Sequence, residues 1–146
     1  MKREQFKEYC DAEFENIDAV SIELFSVVKN KKSKYSTAEL AAIATFIHNF
    51  YNGIENILKR ALIIRQVEMI DTPTWHKDLL KTSSDMGIIN TDLYNALSNY
   101  LSFRHFFIHA YSFTLRWEEL KPLVDDLKNV LKSFKSEIYR YVDGLQ

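Results

Sequence analysis

The chain has 146 residues, the size of one ordinary domain, with 47% hydrophobic and 27% charged residues and only three glycines and two prolines. That balance excludes a disordered or low-complexity protein and predicts a packed helical one. A net charge of −1 excludes the broadly basic surface of a general nucleic-acid binder, so any contact with RNA must be local, and none with DNA is expected.

The opening segment, MKREQFKEYC, lacks the apolar stretch of a signal peptide, and no apolar run approaches the roughly 18 residues of a membrane span. The expectation is a cytoplasmic protein without membrane contact. Phe6, Tyr9, Cys10, Ile17, Val20, Leu24, Val27 and Val28 recur at three- and four-residue steps, one face of a first helix from Phe6 to Val28. Cys10, the single cysteine, has no internal disulfide partner and falls on this apolar face, which predicts a buried thiol in a reducing compartment. The polar stretch from Asn30 to Ser36 breaks the pattern. Its lysines, Lys29, Lys31, Lys32 and Lys34, read as a solvated loop in preference to an RNA contact.

Ser36 and Glu39 have the spacing of a capping box, so a second helix starts there. It carries Leu40, Ile43, Ile47, Phe50, Ile54, Ile57, Ala61 and Ile64 on one face, and Gly53 inside it marks a close helix contact. Asp71 to Thr74 reads as a turn, a short helix follows from Trp75 to Lys81, and Gly87 supplies a left-handed exit. His48 and His76 read as structural or exposed. Asn90 caps a fourth helix with Asp92 in its first turn, and Leu93, Leu97, Tyr100, Arg104, Ile108 and Tyr111 share a face. Phe103, Phe106 and Phe107 read as core or dimer interface. The last helix begins between Trp117 and Lys121, with Pro122 in its first turn, and buries Leu120, Leu123, Val124, Leu127, Leu131, Phe134 and Ile138. These elements predict an all-α, antiparallel bundle of four to five helices, one domain over residues 1–146.

The segment Arg104 to Tyr111, RHFFIHAY, holds the candidate chemistry. On an ideal helix at about 100° per residue, Arg104 and Tyr111 point within about 20° of each other, while His109 is turned about 140° from Arg104. Either the helix distorts near its end, or the site lies across a partner surface where two helices converge; the second option fits a dimer. Read by themselves, Arg104 is a snorkelling or salt-bridged arginine, His109 a helix-end histidine and Tyr111 a core or helix-end tyrosine. His105 and His109 stand at the i, i+4 spacing of a metal pair, but no nearby carboxylate or cysteine completes a first shell, so neither a metal nor another cofactor is expected.

The R-x4-H-x-Y arrangement on the penultimate long helix resembles the HEPN superfamily, in particular the ribonuclease toxins of the HepT kind. The likeness in helical layout extends over nearly the whole chain, and Trp75-His-Lys-Asp-Leu79 also looks like this branch. The resemblance implies a homodimeric, metal-independent endoribonuclease cleaving tRNA or mRNA, the toxin of a toxin–antitoxin pair. It implies Arg104 and His109 as catalytic residues, His105 as polar support and Tyr111 as a target of modification. The implied partner is a minimal nucleotidyltransferase (MNT) antitoxin that transfers AMP to that tyrosine.

The residue types suit such a reaction. Attack by a 2′-OH needs proton transfers, for which histidine titrates in the right range, and the phosphorane gains charge that a guanidinium stabilises through paired hydrogen bonds. One well-placed histidine per chain predicts a two-fold dimer that brings two motifs into one cleft, with His105 of the same chain as the rival second group. A different class of reading is a non-catalytic helical adaptor that docks onto a nucleotidyltransferase and presents its substrate.

Overall fold

In the computed structural model, residues 2–69 and 72–145 are described. They form α1 (Lys2–Val27), α2 (Thr37–Ile64), α3 (Trp75–Asp85), α4 (Thr91–Phe107), a short 3-10 turn (Ser112–Thr114) and α5 (Trp117–Asp143), with no strand among them.

The starts are set by local chemistry. The Ser36 hydroxyl accepts from the Glu39 amide at 3.1 Å and the Glu39 carboxylate accepts from the Ser36 amide at 2.8 Å, so the capping box satisfies two end donors of α2 reciprocally. Asn90 Oδ1 accepts from the Leu93 amide at 2.8 Å and opens α4. Gly87 adopts φ 73° just past α3, the left-handed conformation that a residue without Cβ adopts freely. Thr72 accepts from the Trp75 amide and closes the turn into α3; Asp71 lies outside the described residues. The third helix extends one turn beyond the Lys81 expected from the sequence.

Helix α2 is the centre of the bundle and packs against every other helix. Direction follows from cross-helix bonds. Tyr139 meets Asp11, and Lys135 meets Asp18, so α1 and α5 run antiparallel. Asn90 meets Glu137 and Tyr100 donates to the Leu123 carbonyl, so α4 and α5 also run antiparallel. The short α3 fills the angle between α2 and α4. A continuous core runs from Phe6, Cys10 and Ile17 through Ile47, Ile54 and Leu58 to Leu127, Phe134 and Ile138. Cys10 is fully buried, and that burial pushes its thiol up to about 12, which makes it inert. Gly53 is the close contact expected of it: a Cβ there would lie 2.5 Å from Ile17 Cγ1.

Two expectations need correction. Pro122 lies in the second turn of α5, because the helix starts at Trp117. Its missing N–H leaves the Glu118 carbonyl without a helical partner, which is tolerated because both residues face solvent. And α4 ends at Phe107; the His109 and Ala110 amides fall back on Phe106 and Phe107 in tight turns. Tyr111 therefore leaves the helix in an extended conformation and does not share the face of Arg104.

Candidate functional site

A cavity of about 1110 Å³ opens between the start of α3 and the second half of α4, walled by Thr72 to Lys77 on one side and by Tyr94, Ser98, Leu101, Ser102, Arg104, His105, Ile108 and His109 on the other. The end of α4 thus resolves the angular conflict of the motif. Because the chain departs from helical geometry after Phe107, Arg104 and His109 reach the same cavity despite their separation on an ideal helix. The exposed rings of His105 and His109 meet edge to face at 5.2 Å between centroids. Arg104 and His105 also occupy the last turn of α4, where positive charge is favoured by the helix dipole. Arg104 is half-buried, and its Nε is enclosed without a hydrogen-bond partner among the described residues.

Behind Arg104 lies a group of polar side chains of which the sequence singles out only His48 and His76, as structural or exposed. His48, Tyr51, Glu55 and Lys59 fall at steps of three, four and four on α2, a polar stripe beside the apolar face. Glu55 is buried, with a side chain only 4% exposed. His76, from the first turn of α3, places Nδ1 at 2.9 and 3.0 Å from its two carboxylate oxygens. Burial pushes the Glu55 carboxyl up to about 7 against the opposing pull of Arg104 and Lys59. Burial, reinforced by the same two cations, brings the His76 imidazole down to about 4. His48 is lowered as well, by burial and then by Arg104. The Tyr51 hydroxyl is buried beside Glu55 without completing a hydrogen bond and is pushed far up by burial. Trp75 stacks on His76 at 3.6 Å between centroids, and the Lys59 ammonium sits 4.8 Å from the Trp75 ring centre.

The structure therefore brings Arg104, His105 and His109 to one cavity and adds His76, but it leaves Tyr111 elsewhere. Tyr111 is 71% exposed, stacks on the equally exposed Phe113, and borders a smaller recess with Ala41, Thr45 and Phe107. Phe103 is buried, Phe107 packs between it and His48, and Phe106 and Ile108 are exposed. Lys32, from the lysine-rich loop, pairs with Glu39 at 2.9 Å and is remote from the cavity in the chain. No described helix is long and apolar enough to cross a membrane.

Compared with protein-family models, residues 42–145 match the family described as HepT-like protein. That range takes in most of α2 and all of α3, α4 and α5, the elements that build the cavity. No curated protein and no solved structure matches.

Proposed function

Because the chain belongs to the HepT-like family of the HEPN superfamily, we propose that it is a single-domain endoribonuclease toxin that cleaves tRNA or mRNA without a metal ion. The observation that carries this reading is that Arg104, His105 and His109 line one cavity. Arg104 binds the scissile phosphate and stabilises the charge of the phosphorane, with donors free for two parallel bonds. His109 transfers a proton, and His105 supports it at the helix end. Tyr94 in the wall offers a ring on which an unpaired base stacks. The site is local and basic on a nearly neutral chain, which suits one short stretch of RNA.

The reading includes a homodimer and a cytoplasmic partner, the MNT-type nucleotidyltransferase, that neutralises the toxin by AMPylating Tyr111. The exposed apolar side chains of Phe106, Ile108, Tyr111 and Phe113 support protein contact at this end of α4, and the exposed Tyr111 hydroxyl is open to modification. Since Tyr111 lies outside the Arg104 cavity, the adduct acts by adding a bulky anion at the edge of the site, not by filling it from the same helix face.

One experiment tests the set. Arg104→Ala and His109→Ala each lose about 100-fold or more of RNA cleavage and relieve growth inhibition, while helical circular dichroism stays intact. Wild-type cleavage survives EDTA and leaves a 2′,3′-cyclic phosphate. Co-expression with a neighbouring nucleotidyltransferase adds AMP to the wild type but not to Tyr111→Phe. Reversible loss of cleavage in EDTA overturns the metal-independent chemistry. A chain that binds the nucleotidyltransferase yet cuts no RNA is the non-catalytic adaptor instead.

A further inference from the structure

We propose that His76, held by Glu55, is the second proton-transfer group of this site, so that one chain carries both the base and the acid. The inference rests on the ribonuclease reading above and deepens it. Two features of the pair stand on geometry. The Nδ1 atom lies within hydrogen-bond distance of both Glu55 oxygens, which fixes the ring; once Glu55 is ionised, Nδ1–H donates to the carboxylate and Nε2 is left as the proton acceptor. And His76 lines the same cavity as Arg104 and His109, whereas Glu55 is buried beneath it on α2. A carboxylate is costly to bury unless something uses it or pairs it. Here its partner is the one histidine that opens on the candidate site from α3.

The step balances within the chain. His76 Nε2 takes the proton of the 2′-OH as the O2′–P bond forms. The P–O5′ bond breaks, and the leaving 5′ oxygen takes a proton from His109. The products are a 2′,3′-cyclic phosphate and a 5′-OH, with His76 protonated and His109 neutral until solvent restores them. The neighbours favour this direction. The charged and titratable groups that act on His76 are Glu55, Lys59 and His48 on α2 and Arg104 on α4, and Lys77, Tyr94, His105 and His109 line the cavity with it. The cations Arg104 and Lys59 keep the resting imidazole neutral, and Glu55 stabilises the imidazolium that forms as the ring accepts its proton.

The test is steady-state cleavage of a short RNA across about pH 3 to 9, a range that spans the lowered His76, by the wild type, Arg104→Ala, His76→Gln and Glu55→Gln. With His76→Gln, kcat falls about 100-fold or more at little-changed KM and the acid limb of the pH profile disappears. With Glu55→Gln, which keeps a hydrogen-bond acceptor for Nδ1 but not the charge, the loss is about tenfold and the limb moves without vanishing. A second readout is independent of activity. Nitrogen NMR of His76 in the wild type at about pH 8, where Glu55 is ionised, shows the Nδ1-protonated tautomer, and an Nε2-protonated ring there overturns the proposal even where a variant fails to fold. If the wild type cleaves, Arg104→Ala does not, and His76→Gln keeps its kcat, the pair is structural and only this inference falls. If the wild type cleaves no RNA, the ribonuclease reading falls and takes the inference with it.

Discussion

At the scale of residues, the Glu55–His76 pair makes a specific statement about stability and pH. Glu55 is raised in the folded chain to about 7, so by itself it favours folding at low pH, and that contribution is lost as pH rises from about 4.5 through 7. His76 is lowered to about 4, so by itself it favours folding above about 6.5 and loses that contribution as pH falls through 4. Between about 4.5 and 6.5 the unfolded chain holds one proton on the histidine and the folded chain holds one on the carboxyl, and the two slopes cancel. Urea unfolding of the wild type should therefore show no pH slope from this pair in that window. His76→Gln should expose the Glu55 slope, stability falling as pH rises, by at most about 1.4 kcal/mol per pH unit. Glu55→Gln should expose the opposite slope. A wild-type curve unchanged by either substitution would show that the pair does not share a proton in this way.

The same residues mark the limit of what the sequence discloses. Arg104, His105 and His109 are close in the chain, and a short motif suffices to single them out. Glu55 and His76 are 21 positions apart, and nothing local reveals that α3 folds onto α2. The signal that was present is the spacing of His48, Tyr51, Glu55 and Lys59. In a helix this deeply buried, a polar stripe at three- and four-residue steps asks for a partner from another element.

At the scale of elements, helix starts are legible because capping chemistry is local; the Ser36–Glu39 box and the Asn90 cap lie where the residue types place them. The end of α4 is not legible. No glycine or proline follows Phe107, and the apolar period runs on through Ile108 to Tyr111, so a helix to Tyr111 satisfies the pattern. The chain turns because Phe103 and Phe107 pack inward against each other and Phe107 against His48, while Leu115 and Trp117 must also reach the core. The contact between α1 and α2 at Gly53 gives a test at this scale. Alanine there gains about 1 kcal/mol of helix propensity but drives its methyl into the buried Ile17, an overpacking that costs about 1 to 3 kcal/mol. Since Ile17 Cγ1, and not only the terminal methyl, is in the way, Gly53→Ala should lower Tm in a thermal melt. A stabilised variant would mean that α1 shifts freely over α2.

At the scale of the molecule, the all-helical antiparallel bundle follows from the periodicity, and the family match confirms the kinship that the R-x4-H-x-Y segment suggests. Assembly is a separate matter. The chain's shortage of proton-transfer groups, which motivated a dimer at the level of sequence, is relieved by His76 in the same cavity. A dimer is now supported by the apolar side chains exposed around the end of α4. Sedimentation at micromolar concentration should give a dimer, and Ile108→Asp with Phe113→Glu should give a folded monomer. A wild-type monomer that cleaves RNA would remove the homodimer and leave the single-chain site.

The two tryptophans occupy separate places in this architecture. Trp117 is buried against Tyr35, 4.7 Å between ring centres, where the start of α5 meets the loop after α1. Trp75 stands in the cavity wall on His76. Their emission consequently reports on two different events. With Trp117 replaced by phenylalanine, all remaining indole fluorescence comes from the cavity, so an RNA base that stacks there, or a proton that arrives on His76, is seen by the protein's own chromophore without any label.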